Sequence, residues 1–122
     1  MLLPLQLICP ASKVRRDGTS IIFLQYCKSE NEKTVLNTEI AIPPKYWSKK
    51  HSRIIVDLPV DFGVSEKLNE ELHRMFRMAE YIIKLAVRLK LDDAVSFTKV
   101  TFKPDLDSTK LEEIERALRQ SR

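Results

Sequence analysis

Glycine is almost missing from this chain. The 122 residues hold two, Gly18 and Gly63, so there is no glycine-rich loop of the kind that cradles a phosphate. Cysteine is as scarce. Cys9 and Cys27 are too few and too irregularly placed for a disulfide framework or a zinc site, and they read as small strand residues in a reducing compartment. The two histidines, His51 and His73, stand at metal-ligand spacing neither with each other nor with a cysteine. No apolar run approaches the ~20 residues of a membrane span. The leucine-rich start, Met1 to Cys9, lacks a basic leader region and is broken by Pro4 and Gln6. It also places Ile8 before Cys9, where lipoprotein processing takes a small residue. A first β-strand is the expectation there, in a cytoplasmic protein with no membrane partner. Internal repeats and low-complexity tracts are absent as well. These gaps remove phosphate-loop, metal and membrane functions, and no cofactor or small-molecule substrate is expected.

What is present is charge and a patterned apolar minority. Charged residues make up 31% of the chain and the formal net charge is +4, a composition of one folded domain rather than a disordered one. A chain of this length can close a core without disulfides. The charge is unevenly placed. Residues 1–56 hold nine Lys and Arg against four Asp and Glu, whereas residues 57–122 hold twelve against thirteen. The positive excess lies in the first half and points to a polyanionic partner.

The most informative stretch is Gly18 to Trp47. Thr19 to Lys28 is rich in Ile, Phe, Leu and Tyr; Ser29 to Glu32 is a four-residue polar break; Lys33 to Ile42 is a return strand. Pro43-Pro44 cannot donate ladder hydrogen bonds and ends it. Ile22, Leu24 and Tyr26 share one face, as do Leu36, Thr38, Ile40 and Ile42. The opposite face holds Ile21, Phe23, Gln25, Cys27, Val35, Asn37, Glu39 and Ala41. Leu2 to Cys9 adds an edge strand, stopped by Pro10. A basic loop with an Asp17-Gly18 turn then leads into the hairpin, giving a three-stranded antiparallel meander.

Pro43 to Lys50 is expected to make one helical turn, with Tyr46 and Trp47 capping the apolar end of the sheet. Ile54 to Val56 reads as a fourth short strand or a docked loop. A helix follows from an N-cap at Ser65 to about Lys90, with Leu68, Leu72, Met75, Ala79, Ile82, Ala86 and Leu89 in one stripe. At roughly 40 Å it exceeds what three strands can cover, so its overhang needs a further partner. Asp92-Asp93 belongs to a loop or caps a new turn, and Val95 to Phe102 alternates weakly and is expected to be extended. A last helix from Leu111 to Gln120 is capped by Ser108 or by a Thr109-x-x-Glu112 box. The fold class is α+β: a three-stranded antiparallel sheet over residues 1–60, a long helix over 61–92 packed on it, and a linker with a short C-terminal helix over 93–122.

Lys13 to Arg16, Gly18, Ile22-Phe23-Leu24-Gln25, Leu36-Asn37-Thr38-Glu39-Ile40 and Ile42-Pro43-Pro44-Lys45-Tyr46-Trp47 together resemble the N-terminal arm-type DNA-binding domain of tyrosine recombinases of the phage-integrase type, especially those of Bacteroidetes mobile elements. The final proline-proline-tryptophan segment is the most specific part. Gln25 stands where that family often has Arg, and Glu39 where it often has Gly. The resemblance implies a DNA-anchoring domain that recognises arm-type sites, with other recombinase protomers as further partners. It also implies that the catalytic domain lies beyond Arg122.

No catalytic constellation is present. A recombinase site needs Arg, Lys, a His-x-x-Arg segment and a nucleophilic Tyr, but His73 has Phe76 at the third position and Arg77 comes one residue late. The chain is therefore not expected to be an enzyme. The candidate DNA-binding residues are the cations beside the hairpin and the polar or aromatic side chains on its outward face. Lys13, Arg15 and Arg16 precede the hairpin, Lys28 and Lys33 flank its turn, and Lys45, Lys49, Lys50 and Arg53 follow it. These would meet phosphates of double-stranded DNA, while Phe23, Gln25 and Asn37 touch base edges in the major groove. An alternative function uses the long helix: its stripe has heptad spacing and would serve as a dimer seam in a protein-interaction module.

Overall fold

A computed structural model of the chain describes residues 5–120. The sheet has order β1-β2-β3, with β1 at Leu5–Ile8, β2 at Ser20–Ser29 and β3 at Glu32–Ile42, all antiparallel. The rest of the expected first strand, Leu2 to Pro4, lies outside the described residues. Leu5 pairs with Tyr26 and Leu7 with Leu24, and Leu24 in turn pairs with Leu36. One apolar face results: Leu5, Ile22, Leu24, Tyr26, Leu36, Thr38 and Ile42 are all buried. The hairpin turn is tighter than the four-residue polar break implied. The strands run on to Ser29 and Glu32, leaving only Glu30 and Asn31 between them, and Lys28 is an extra residue that adjusts the register.

A second irregularity lies deeper in the hairpin. Between the pairs Ile21–Ala41 and Phe23–Asn37, β2 has one residue and β3 has three. The bulge thus inserts two residues, an even number, and every side chain keeps its face. Local hydrogen bonds hold it. Thr38 Oγ1 donates to the Ile22 carbonyl (2.7 Å) and accepts from Ile40 N–H (3.2 Å), and Asn37 Oδ1 accepts from Glu39 N–H (2.7 Å). Glu39, at the crest, has φ +63°, the left-handed region that costs a side-chain-bearing residue ~1–2 kcal/mol. Glycine would remove that strain but adds ~0.5–1 kcal/mol of chain entropy to be lost on folding. Glu39→Gly is therefore expected to raise stability by roughly 0.5–1 kcal/mol in chemical denaturation; a loss of stability would mean that the bulge is not strained.

After β3, Pro44–Tyr46 makes a 3-10 turn. A small antiparallel ribbon follows, β4 (Trp47–Ser48) with β5 (Arg53–Ile54), so Ile54 does lie in a short strand, the fifth of the chain, paired apart from the main sheet. Trp47 and Ile54 are buried. Asn69 fastens this ribbon to the first long helix: its amide accepts from Ile54 N–H and donates to the Ile54 carbonyl, both at 2.9 Å.

The long helix α1 spans Ser65–Arg88 and packs its stripe on the sheet, with Leu72, Met75, Ala79, Ile82 and Ala86 all buried. Ser65 is its first residue rather than its cap; Val64 precedes it and offers no capping side chain. At the other end Lys90 takes φ +53°. Its N–H reaches the Val87 carbonyl, and Leu91 N–H reaches Ala86, a pair of bonds that closes the helix although lysine stands where glycine is usual. The stripe proposed as a dimer seam is thus consumed inside the chain's own core.

The overhang of α1 is met within the chain. The expected extended segment, Val95 to Phe102, is helical up to Thr101: Ala94–Thr101 forms α2, with Ala94 and Thr98 buried, and Phe102 alone is extended. Asp93 caps α2, accepting from Ser96 N–H at 3.0 Å and from Ser96 Oγ at 2.8 Å. Helix α3 spans Ser108–Gln120 and is capped by neither Ser108 nor Thr109; Asp107 accepts from Lys110 N–H at 2.9 Å. Arg74 on α1 binds the carbonyls of Pro104 (2.5 Å) and Leu106 (2.9 Å), and Tyr81 donates to Glu115 of α3 at 2.7 Å. One apolar core runs from Leu5 to Leu111. Among the described residues, no helix is long and apolar enough to cross a membrane.

Candidate nucleic-acid interface

The helices cover one side of the sheet and leave the other open. By register, Gln6 and Ile8 of β1, Phe23, Gln25 and Cys27 of β2, and Lys33, Val35 and Asn37 of β3 share that outer face. Gln6, Cys27, Lys33, Val35 and Asn37 are exposed, and Ile8, Phe23 and Gln25 are half-buried among their strand neighbours. Phe23 and Gln25 therefore stand where the alternation placed them.

At one end of this face is the loop between β1 and β2. Lys13 sits over the Phe23 ring, with Nζ 5.4 Å from its centroid, a cation–π contact that holds the ammonium against the face. Arg15 O accepts from Gly18 N–H and Arg15 N–H donates to Thr19 O, with Gly18 at φ +82°; Arg16 and Asp17 are left at the tip. The guanidinium of Arg15 is half exposed, donates to Thr19 Oγ1 at 2.9 Å and stands 3.9 Å from the Asp17 carboxylate. Asp17 accepts from Thr19 Oγ1 and N–H, and these bonds hold its carboxyl below the usual carboxylate range. The loop thus carries an anion at neutral pH, and Arg15 serves mainly to close it. Arg16 is the cation free to project.

At the other end, Lys33 is exposed opposite Cys27, whereas Lys28 is paired with Glu32 at 3.5 Å. That pair is solvent-exposed and weak, so Lys28 can exchange its partner for a phosphate. Asn37 is on the face, but its Oδ1 is committed to Glu39 N–H, which leaves only its amide nitrogen to donate outward.

The four cations after β3 divide. Lys49 lies beside β1, lining a groove with Gln6, Ile8 and Trp47, and so borders the outer face. Lys45 is exposed with its ammonium over Tyr46, 5.2 Å from the centroid, and Lys50 is exposed in the turn between β4 and β5. Arg53 is elsewhere. It lines a cleft of about 740 Å³ against α1, with Glu66, Glu70 and His73, acids that compete with any phosphate there.

Gln6 belongs to the face and was missed from the sequence. Leu3, Leu5 and Leu7 alternate with Pro4, Gln6 and Ile8 in the sequence, a pattern that sets Gln6 on the face opposite the leucines. Among the described residues no group of three or more His, Cys, Asp or Glu converges in a way that could hold a metal ion. Compared with family models, curated proteins and solved structures, the chain matches none.

Proposed function

We propose that the chain binds double-stranded DNA through the uncovered face of its three-stranded sheet, as an arm-type recognition domain of a tyrosine recombinase, and performs no chemistry itself. The observation that carries this is the open face, with amides and apolar side chains in the middle and Lys13, Arg16, Lys33 and Lys49 around it. Three strands spaced ~4.8 Å apart present a backbone about 10 Å across, a fit to the ~12 Å major groove of B-DNA. The cations at its ends would then meet phosphates on the groove walls. The left-handed backbone at Glu39, where the resembled family often has glycine, supports the assignment, because glycine takes that conformation without steric cost.

A fluorescence-anisotropy titration tests it, using duplex DNA from the ends of the parent mobile element beside a scrambled duplex, at two salt concentrations. Tighter binding to the element ends with a steep salt dependence is the expected result. Weak and equal binding to both duplexes would dismiss arm-site recognition.

A further inference from the structure

The strand residues in the middle of the open face include three amides and no cation; Lys13 reaches the edge of it from the β1–β2 loop, over the Phe23 ring. Register sets Gln6 opposite Gln25 and Gln25 opposite Val35, so one row across the three strands reads Gln6, Gln25, Val35. The next row reads Ile8, Phe23, Asn37. Guanine is most often recognised by Arg or Lys at O6 and N7, and neither residue type occurs in these two rows. Glutamine instead matches adenine, donating to N7 and accepting from the N6 amino group, and apolar side chains match the thymine methyl. Directly opposed side chains stand about 5 Å apart, and successive base pairs about 3.4 Å. With three rotatable bonds each, the two glutamines reach neighbouring base pairs. Asn37, the other amide on the face, is held by the bulge through Glu39 N–H.

Resting on the DNA-binding proposal, we infer that this row makes the face select adjacent A·T base pairs in the major groove. Gln6 and Gln25 are its specificity-determining residues, and Val35 and Ile8 lie against thymine methyls.

Selection of duplexes from a randomised pool by the full chain, followed by anisotropy on the preferred duplex, tests this. The selected core is expected to contain two adjacent A·T pairs. Replacing either adenine with 7-deazaadenine removes only the N7 acceptor and is expected to weaken binding roughly 10-fold. Gln25→Ala and Gln6→Ala should each abolish that sensitivity at one position while leaving the salt dependence unchanged. Both side chains lie on the open face, and circular dichroism confirms that the variants are folded. A selected core of G·C pairs, or 7-deazaadenine without effect, overturns the inference and leaves DNA binding standing. Failure to bind any duplex overturns both.

Discussion

Replacing Lys13, Arg16 and Lys33 together with alanine is expected to lower affinity for duplex DNA about 500-fold at 0.1 M salt. The magnitude follows from counterion release. Each phosphate neutralised contributes about 0.9 to the slope of log affinity against log salt, so at 0.1 M each is worth close to one decade. The slope itself should therefore fall by nearly three. These three cations are chosen because they sit at the two ends of the open face and are exposed. Arg15 is left in place, since its guanidinium closes the loop through Thr19 and its loss would confuse a change of shape with a change of charge. The loss should be uniform across sequences, because phosphate contacts carry no base information. A salt slope equal to that of the unaltered chain would remove this face from phosphate contact.

Thr38→Val is expected to cost roughly 2–4 kcal/mol of folding stability, although valine has nearly the shape of threonine. Thr38 is almost wholly buried, and its hydroxyl satisfies two backbone groups at the bulge, the Ile22 carbonyl and the Ile40 N–H. Valine removes both bonds, and a buried group left unsatisfied costs ~1–3 kcal/mol. For a domain of this size that corresponds to a fall in Tm of roughly 8–15 °C. Thr38→Ser retains the hydroxyl and loses one methyl, about 0.8 kcal/mol, so most of the stability should return. Thermal denaturation of the pair separates the hydrogen bonds from the packing. Equal losses in the two variants would mean that the hydroxyl does not hold the bulge.

The hairpin and the stripe of α1 were legible because each follows a single period: two along β2 and β3, and steps of three and four from Leu72 to Ala86. Register, not composition, brought their faces together, and the even-numbered bulge preserved what alternation had assigned. Helix α2 was not legible. Val95, Thr98, Val100 and Thr101 are β-branched and favour extended backbone in isolation, yet Asp93 caps the helix, Thr98 bonds back to the Ala94 carbonyl, and both residues are buried. Tertiary burial outweighed local preference; of the two roles expected for Asp92-Asp93, loop or cap of a new turn, Asp93 takes the second. At the start of α3 the expected caps were Ser108 and Thr109; the helix instead begins at Ser108, and Asp107, one residue earlier, takes the capping role. The cations were visible as a list but not as a surface: one chain segment supplied Lys49, beside β1, and Arg53, in the α1 cleft.

Asn69 commits both ends of its amide to a single residue of the ribbon, the N–H and the carbonyl of Ile54. Mechanically that is a pinned joint. The ribbon cannot slip along α1 by one helical turn, ~5.4 Å, without breaking both bonds at once. The pin lies near the start of a helix about 36 Å long, whose far half carries the Tyr81–Glu115 bond to α3. A load applied at Lys49 or Lys50 therefore enters one end of a stiff rod, and α3, held farther along it, moves with the ribbon rather than independently of it.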